Sequence, residues 1–214
     1  MSYVYKQNLL ASSKYPIKSP YSMTPQYITV HNTANDASAE NEIRYMLSNG
    51  NQVSYHVAID DKESIQAIPF NRNAWHCGDG QGKGNRQSIG IEICYSKSGG
   101  PRYVAAEENA VQYIAQLLKQ YGWGIDRVKK HQDWNGKYCP HRILSENRWN
   151  SFLKRVEQAM KPNQPTIECA IDEGAKVFRV QSGAYKTQAD AERAAQKALD
   201  AGAISYATIR GTSE

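Results

Sequence analysis

The sequence predicts a mixed α/β domain over residues 1–160, with a central sheet flanked by helices, followed by a small α+β domain. Three observations carry this. Short runs alternating apolar and polar residues, such as QYITVHNT and SIGIEICY, are interspersed with runs of helical spacing, of which VAAEENAVQYIAQLLKQYG is the longest. Lys161, Pro162, Asn163, Gln164 and Pro165 then interrupt a helix twice, because proline lacks an amide hydrogen and restricts the residue before it. The 214 residues exceed one core of ordinary size, roughly 100–150 residues, by enough for a second small unit.

Taken in order, QYITVHNT reads as a strand in which Ile28 and Val30 point one way while Tyr27, Thr29 and His31 point the other. ASAENEIRYMLSN follows as a helix, then QVSYHVAID, ESIQAIPF and SIGIEICY as strands. Alternation in QVSYHVAID groups Val53, Tyr55, Val57 and Ile59 on one face and puts His56 on the opposite one. In SIGIEICY, Ile89, Ile91 and Ile93 face one side, and Ser88, Gly90, Glu92 and Cys94 the other. Between residues 104 and 121, Val104, Ala110, Val111, Ile114, Leu117 and Leu118 form one apolar stripe, with Gly122 as a C-cap. A last helix is expected from Ser145 as N-cap, with Glu146 in the positive first turn, through Trp149, Phe152, Leu153 and Val156 to Met160. Beyond a linker at 161–165, KVFRVQSGAY reads as a strand, with TIECAI as a candidate partner. Thr187 and Asp190 start a helix over AERAAQKALDAG, and ISYATIR closes the unit as a strand.

Composition narrows the class. Hydrophobic residues make up 40% and charged residues 22%, which excludes a disordered or fibrous chain. The net charge of +5 lies wholly in residues 1–160, with 19 Lys plus Arg against 14 Asp plus Glu, whereas 161–214 hold 7 of each. These charges do not cluster into basic runs, so nucleic acid is not an expected partner. The mild surplus suits a polyanionic surface and an ordinary soluble one alike. The start, MSYVYKQNLLASSK, has no charged residues followed by an apolar run, and no stretch of about 18 apolar residues occurs. Synthesis in the cytoplasm without an export signal, and no membrane insertion, are therefore expected. Cys77, Cys94, Cys139 and Cys169 are too sparse for a disulfide framework and read as free thiols, one of them a metal ligand.

The metal reading starts from His31, which projects from the sheet face opposite the aliphatic one. In HQDWNGKYCPH, His131 and Cys139 stand on either side of a segment rich in Asn and Gly, and a loop there can fold both side chains toward one point. Both are zinc ligand types. A structural zinc site wants a fourth Cys or His in a close pair, and the sequence holds no CxxC. A catalytic site wants three ligands and an open position. His141 competes with Cys139 by spacing, but the stiff turn at Pro140 leaves it outside the ligand set. A histidine taken singly is more often a core or surface residue, so spacing alone does not fix the set.

The blocks ITVHNTA, SYHVAID, WHCGDG, NRQSIGIEI and HQDWNGKYCPH, in this order, resemble the type 2 N-acetylmuramoyl-L-alanine amidases of phage and bacilli over roughly residues 20–160. The resemblance implies Zn2+ on His31, His131 and Cys139, and hydrolysis of the amide between the muramoyl lactyl group and L-alanine of bacterial peptidoglycan. Within that family, recycling amidases carry an aspartate at the third ligand and non-catalytic recognition proteins have lost the thiol. Cys139 thus implies a phage or prophage endolysin that acts on the wall after release. Glu92 is implied as the group that takes and returns a proton, and Lys137 as the stabiliser of charge on the substrate oxygen. Tyr55 matches a tyrosine that other branches place beside the reacting water, while its alternation fits core packing equally. His56 is a candidate support for a ligand. Trp75, His76, Asn85 and Arg86 resemble the groove wall that binds substrate.

Three rival readings compete with this one. Retention of the three ligands with Glu92 and Lys137 argues against a non-lytic peptidoglycan-binding module, and Cys139 argues against an intracellular muropeptide-recycling amidase. A cysteine hydrolase with Cys139 as nucleophile and His131 as base would survive chelation. At the other end, FRVQSGAYKTQADAERAAQKALDAG resembles part of a sporulation-related repeat domain, a family implied to bind glycan strands. One strand–helix–strand unit is present where that family has two, so residues 166–214 are expected to bind the cell wall or to form a homodimer that completes the arrangement. A passive extension is the plain alternative, since units of about 50 residues are marginal alone.

Overall fold

A computed structural model describes residues 4–161, together with 168–170, 179–181 and Arg193. The chain divides into two units, Met1–Met160 and Lys161–Glu214. In the first, six strands form one sheet: β1 (Val4–Gln7), β2 (Tyr27–Asn32), β3 (Val57–Ile59), β4 (Glu63–Gln66), β5 (Ser88–Ile93) and β6 (Val128–Lys130), in the order β1-β4-β3-β5-β2-β6. β3, β5, β2 and β6 run parallel, and β4 is antiparallel to β3 with β1 parallel to β4. The helices are α1 (Tyr15–Lys18), α2 (Ala39–Ser48), α3 (Lys83–Gln87), α4 (Gly100–Tyr121), α5 (Gln132–Asn135), α6 (His141–Ser145) and α7 (Trp149–Met160). The expected mixed sheet with flanking helices is what forms.

The two central strands divide their faces as the alternation requires. Ile28, Val30, Ile89, Ile91 and Ile93 are fully buried in the main core, each contributing about 1.5–3 kcal/mol. The other face carries Thr29 and His31 on β2, and Ser88, Gly90 and Glu92 on β5. α4 packs across β3, β4 and β5, and α7 packs on α4. α4 starts at Gly100, earlier than the apolar spacing suggested, with Pro101 in its first turn where a missing N–H costs nothing. Its buried side is Tyr103, Ala106, Ala110, Val111, Ile114, Leu117 and Leu118; Val104, expected in the stripe, is 64% exposed because Tyr103 takes the inward position. Gly122 caps the helix in the left-handed region at φ 66° as expected, its N–H reaching the Leu118 and Lys119 carbonyls.

Two other expectations are corrected. Ser145 does not open the last helix: it ends α6, its hydroxyl donating to the Arg142 carbonyl at 3.1 Å. Asn147, at φ 52°, turns the chain before the Phe152 N–H bonds the Arg148 carbonyl and α7 begins. QVSYHVAID forms a strand only from Val57, with the His56 N–H on the Gly90 carbonyl just before it; Val53 is 63% exposed.

α2 begins at Ser38, whose Oγ accepts from the Asn41 N–H at 3.3 Å, with Glu40 and Glu42 at its positive end. Its negative end is held by two lysines of the α1 region. Lys14 donates to the carbonyls of Leu47, Ser48 and Asn49. Lys18, fully buried, donates to Asn49 Oδ1 at 3.0 Å, the Asn51 carbonyl at 2.5 Å and the Val53 carbonyl at 3.1 Å. Burial, with Lys14 close by, lowers the Lys18 pKa.

In the second unit, β7 (Glu168–Ala170) and β8 (Arg179–Gln181) pair antiparallel, with Cys169 opposite Val180. The expected helix at AERAAQKALDAG, apart from Arg193, the strand at ISYATIR and linker positions 162–165 lie outside the described residues. Among the described residues, Cys77, Cys94 and Cys139 are free thiols and no helix is long and apolar enough to cross a membrane.

Candidate metal centre and its cleft

Parallel strands aim their carboxyl ends at one edge of the sheet, where open α/β folds build their sites. His31 is the penultimate residue of β2 and pairs in register with Glu92, the penultimate residue of β5, so the two lie about one interstrand spacing apart, ~4.8 Å. β6 pairs Lys130 with Val30, and His131, the next residue, comes up beside His31 with its N–H on the Val30 carbonyl. The segment after α5 turns at Gly136, φ 83°, and the Gln132 N–H bonds the Cys139 carbonyl at 3.1 Å, which folds the thiol back over both imidazoles. The Cys139–Pro140 peptide is cis.

Three donor atoms converge there. Nδ1 of His31 lies 3.0 Å from Nδ1 of His131 and 3.8 Å from Sγ of Cys139, and all three ligand atoms fall within 4.8 Å of one another. A tetrahedral zinc with Zn–N about 2.0–2.1 Å and Zn–S about 2.3 Å needs edges of about 3.3 and 3.6 Å, so the two edges that meet at His31 fit within a few tenths of an ångström. Burial, reinforced by the neighbouring histidines and Lys137, holds His31 well below the usual imidazole range, and burial with Lys137 lowers His131. Both rings are neutral near pH 7 and have lone pairs to give. His131 offers Nδ1, because its Nε2 lies 3.0 Å from the Cys77 carbonyl, which can only accept. The Cys139 thiol is pushed up to about 12, first by burial and then by Glu92, so a cation must accompany its ionisation. A thiol held that high argues against Cys139 as a nucleophile activated by His131.

The centre opens on a cleft of about 820 Å³ whose walls include Glu42 and Tyr45 of α2, Tyr55, Glu92, Lys137 and Cys139. Burial, with Glu42 adding to it and Lys137 opposing, raises Glu92 to about 8, and its Oε2 has no hydrogen-bond partner. Glu42 is a cleft residue that the sequence did not flag. Its carboxylate accepts from Asn35 Nδ2 and from the Tyr55 hydroxyl at 3.3 Å, and nothing in a glutamate of a helix's first turn signals that it will face a site.

A family model described as N-acetylmuramoyl-L-alanine amidase matches residues 21–142. The chain belongs to that family. The N-acetylmuramoyl-L-alanine amidase XlyB of Bacillus subtilis (strain 168) is 56% identical over 184 residues, covering 86% of this chain and 58% of XlyB. CwlA of the same strain, also an N-acetylmuramoyl-L-alanine amidase, is 64% identical over 156 residues, covering 72% of this chain and 57% of CwlA. The chain therefore spans somewhat more than half the length of these relatives. The solved structure of PlyL is 58% identical, with a TM-score of 0.70, covering 73% of this chain and 97% of that one. The resemblance read from the five amidase blocks is thereby shown. That drawn for the C-terminal segment lies beyond the residues that the family model matches.

Within this amidase fold the expected residues part company. His31, His131, Cys139, Glu92, Lys137 and Tyr55 meet at one place. Tyr55 belongs to cleft and core at once: it is 7% exposed, its hydroxyl is bonded to Glu42, and burial raises its pKa. Trp75, His76, Asn85 and Arg86, expected to form a groove wall, are not among the cleft-lining residues. Asn85 is buried and its Oδ1 accepts from the backbone N–H of His76 and of Cys77, at 2.8 Å each. The Trp75 indole donates to the Ile17 carbonyl, and the Arg86 guanidinium lies 4.0 Å over the Tyr21 ring. His76 is buried against His31, 2.9 Å from its Nε2. His56, read as a candidate ligand support, ties backbone instead: Nδ1 accepts from the Gly90 N–H and Nε2 donates to the Arg72 carbonyl, both at 2.9 Å. His141 sits at the cleft as the first residue of α6, outside the triad.

Proposed function

We propose that this chain is a zinc hydrolase that cuts the amide joining the muramoyl lactyl group to L-alanine in bacterial peptidoglycan. The observation that carries the reading is the convergence of two neutral imidazole nitrogens and a thiol at the end of a cleft that also holds an unpartnered, half-buried carboxylate. His31, His131 and Cys139 would hold the ion, with one anionic ligand leaving net positive charge. Bound zinc supplies a Lewis acid that polarises the amide carbonyl and makes water acidic enough to react near neutral pH.

The rest falls to the protein. Glu92, with a pKa close to working pH, takes the proton of the attacking water as the C–O bond forms. It returns that proton to the alanine nitrogen as the C–N bond breaks. Lys137, on the cleft wall, places its ammonium where negative charge gathers on the carbonyl oxygen. Tyr55 holds Glu42 and shapes the wall next to Glu92.

A cysteine as third ligand favours a lytic enzyme, a phage or prophage endolysin acting on the wall after release, over a recycling amidase or a receptor. Residues 166–214 fit a cell-wall-binding or dimerisation role. The test is digestion of purified walls with and without chelator. New amino ends at alanine should appear only with zinc present. Their absence, or equal release after zinc removal, overturns the reading.

A further inference from the structure

Protons decide which nitrogen of a histidine can bind a metal, and here backbone carbonyls fix the protons. Nε2 of His76 lies 3.3 Å from the Ser88 carbonyl, which only accepts, so that nitrogen carries the proton and His76 Nδ1 carries the lone pair. Nε2 of His31 stands 2.9 Å from that lone pair and must be the donor. His31 is then left with a bare Nδ1, the atom that faces His131 and Cys139. We propose that His76 is a positioning residue of the metal centre, holding His31 through one N–H···N bond as the tautomer, and at the ring angle, that a metal requires.

The surroundings keep His76 in this post. Its backbone N–H is pinned by Asn85. Its ring occupies the space above Gly90, where a Cβ would fall 2.7 Å from the ring's Cγ and Nδ1, so only glycine at that point of β5 leaves room. The Cys77 sulfur lies 3.1 Å from the same His76 nitrogen, but a thiol is a weak donor beside an imidazole N–H. The second cluster of metal-ligand types, His31 with His76 and Cys77, is therefore a hydrogen-bonded support for the first. Groups that hold the far nitrogen of a ligating histidine typically matter about 10–100-fold in metal affinity.

The tautomer stands on this geometry alone; its consequence for an ion rests on the zinc reading. In 15N-labelled, metal-free protein, long-range proton–nitrogen spectra should show His31 protonated at Nε2 and bare at Nδ1. Protonation at Nδ1 would overturn the proposal. Zinc uptake measured by competition with a chelating dye should weaken about 10–100-fold in His76→Leu. His76→Asn, which returns an amide oxygen near the Nδ1 position, should recover most of it. A His76→Leu variant that is folded by circular dichroism and binds zinc like wild type sinks the proposal and leaves the amidase reading intact. A wild-type protein that takes up no zinc sinks the reading itself.

Discussion

Replacing Glu92 with glutamine is expected to make the metal-free protein more stable at alkaline pH while it slows turnover by orders of magnitude. Burial, with help from Glu42, lifts this carboxyl from 4.5 to about 8. The fold favours the protonated form, so its contribution to stability is complete below pH 4.5 and is lost as pH rises through about 8. Each pH unit in that window is worth about 1.4 kcal/mol, which sets a ceiling of about 5 kcal/mol. Glutamine has no proton to lose and escapes the cost. Denaturant unfolding of chelator-treated wild type and Glu92→Gln at pH 5, 7 and 9 should therefore show a difference that grows with pH in favour of the variant. Zinc should narrow it, because a nearby cation favours the carboxylate. In the loaded enzyme the variant should bind zinc normally and lose about 10²–10⁴-fold in kcat. A stability difference that ignores pH, or one that favours wild type at pH 9, would refute the argument that Glu92 is held in a poorly solvated pocket.

Lys18→Met should cost about 1–3 kcal/mol, since it strips the Asn49 side chain and the partly buried Asn51 and Val53 carbonyls of their donor, and thermal unfolding will read it; KM for wall fragments should rise as well, because Asn49, Asn51 and Val53 line the cleft. Glu107 of α4, 2% exposed, accepts from Arg148 and Arg155, each at 2.6 Å. With both guanidiniums partly in water, Glu107→Gln should cost about 2–3 kcal/mol, and a double-mutant cycle with Arg155→Met should show coupling. His56 is fully buried, and burial lowers it to about 4. Its contribution is intact above pH 6.5 and fades as pH falls through 4, by up to about 3 kcal/mol, so His56→Gln should show a shallower acid limb in a pH–stability profile.

Long periodic segments were readable, because burial of one face writes itself into spacing. β2, β5, α2 and α4 stand where alternation or helical period put them, and the opposed faces of Ile28 with Val30 and of His31 follow from a period of two. Three- and four-residue elements such as β1, β6 and α5 are too short to show a period, so the strand that brings His131 beside His31 had no local signature. Val104 and Ser145 misled for a related reason: an apolar residue one step from the true stripe, and a hydroxyl at a helix end, satisfy the local rule equally well. Trp75, His76, Asn85 and Arg86 have the residue types of a binding wall, yet buried backbone claims Asn85 and the Nε2 of His31 claims His76. Partner choice of that kind is tertiary information.

The register of β2 against β5 and β6 has a kinetic consequence. His31 and His131 are 100 residues apart in sequence and meet only when a late three-residue strand docks on a central one. Closing a loop of that length has a substantial entropy cost, and contacts of long sequence separation form slowly. A slip of one residue in β2 would turn His31 toward the aliphatic layer and leave no centre at all. An ion held by these residues would thus be poorly placed to seed folding and well placed to report its completion: on refolding in cobalt, the absorbance of bound metal should rise in the last phase, after helical ellipticity has returned.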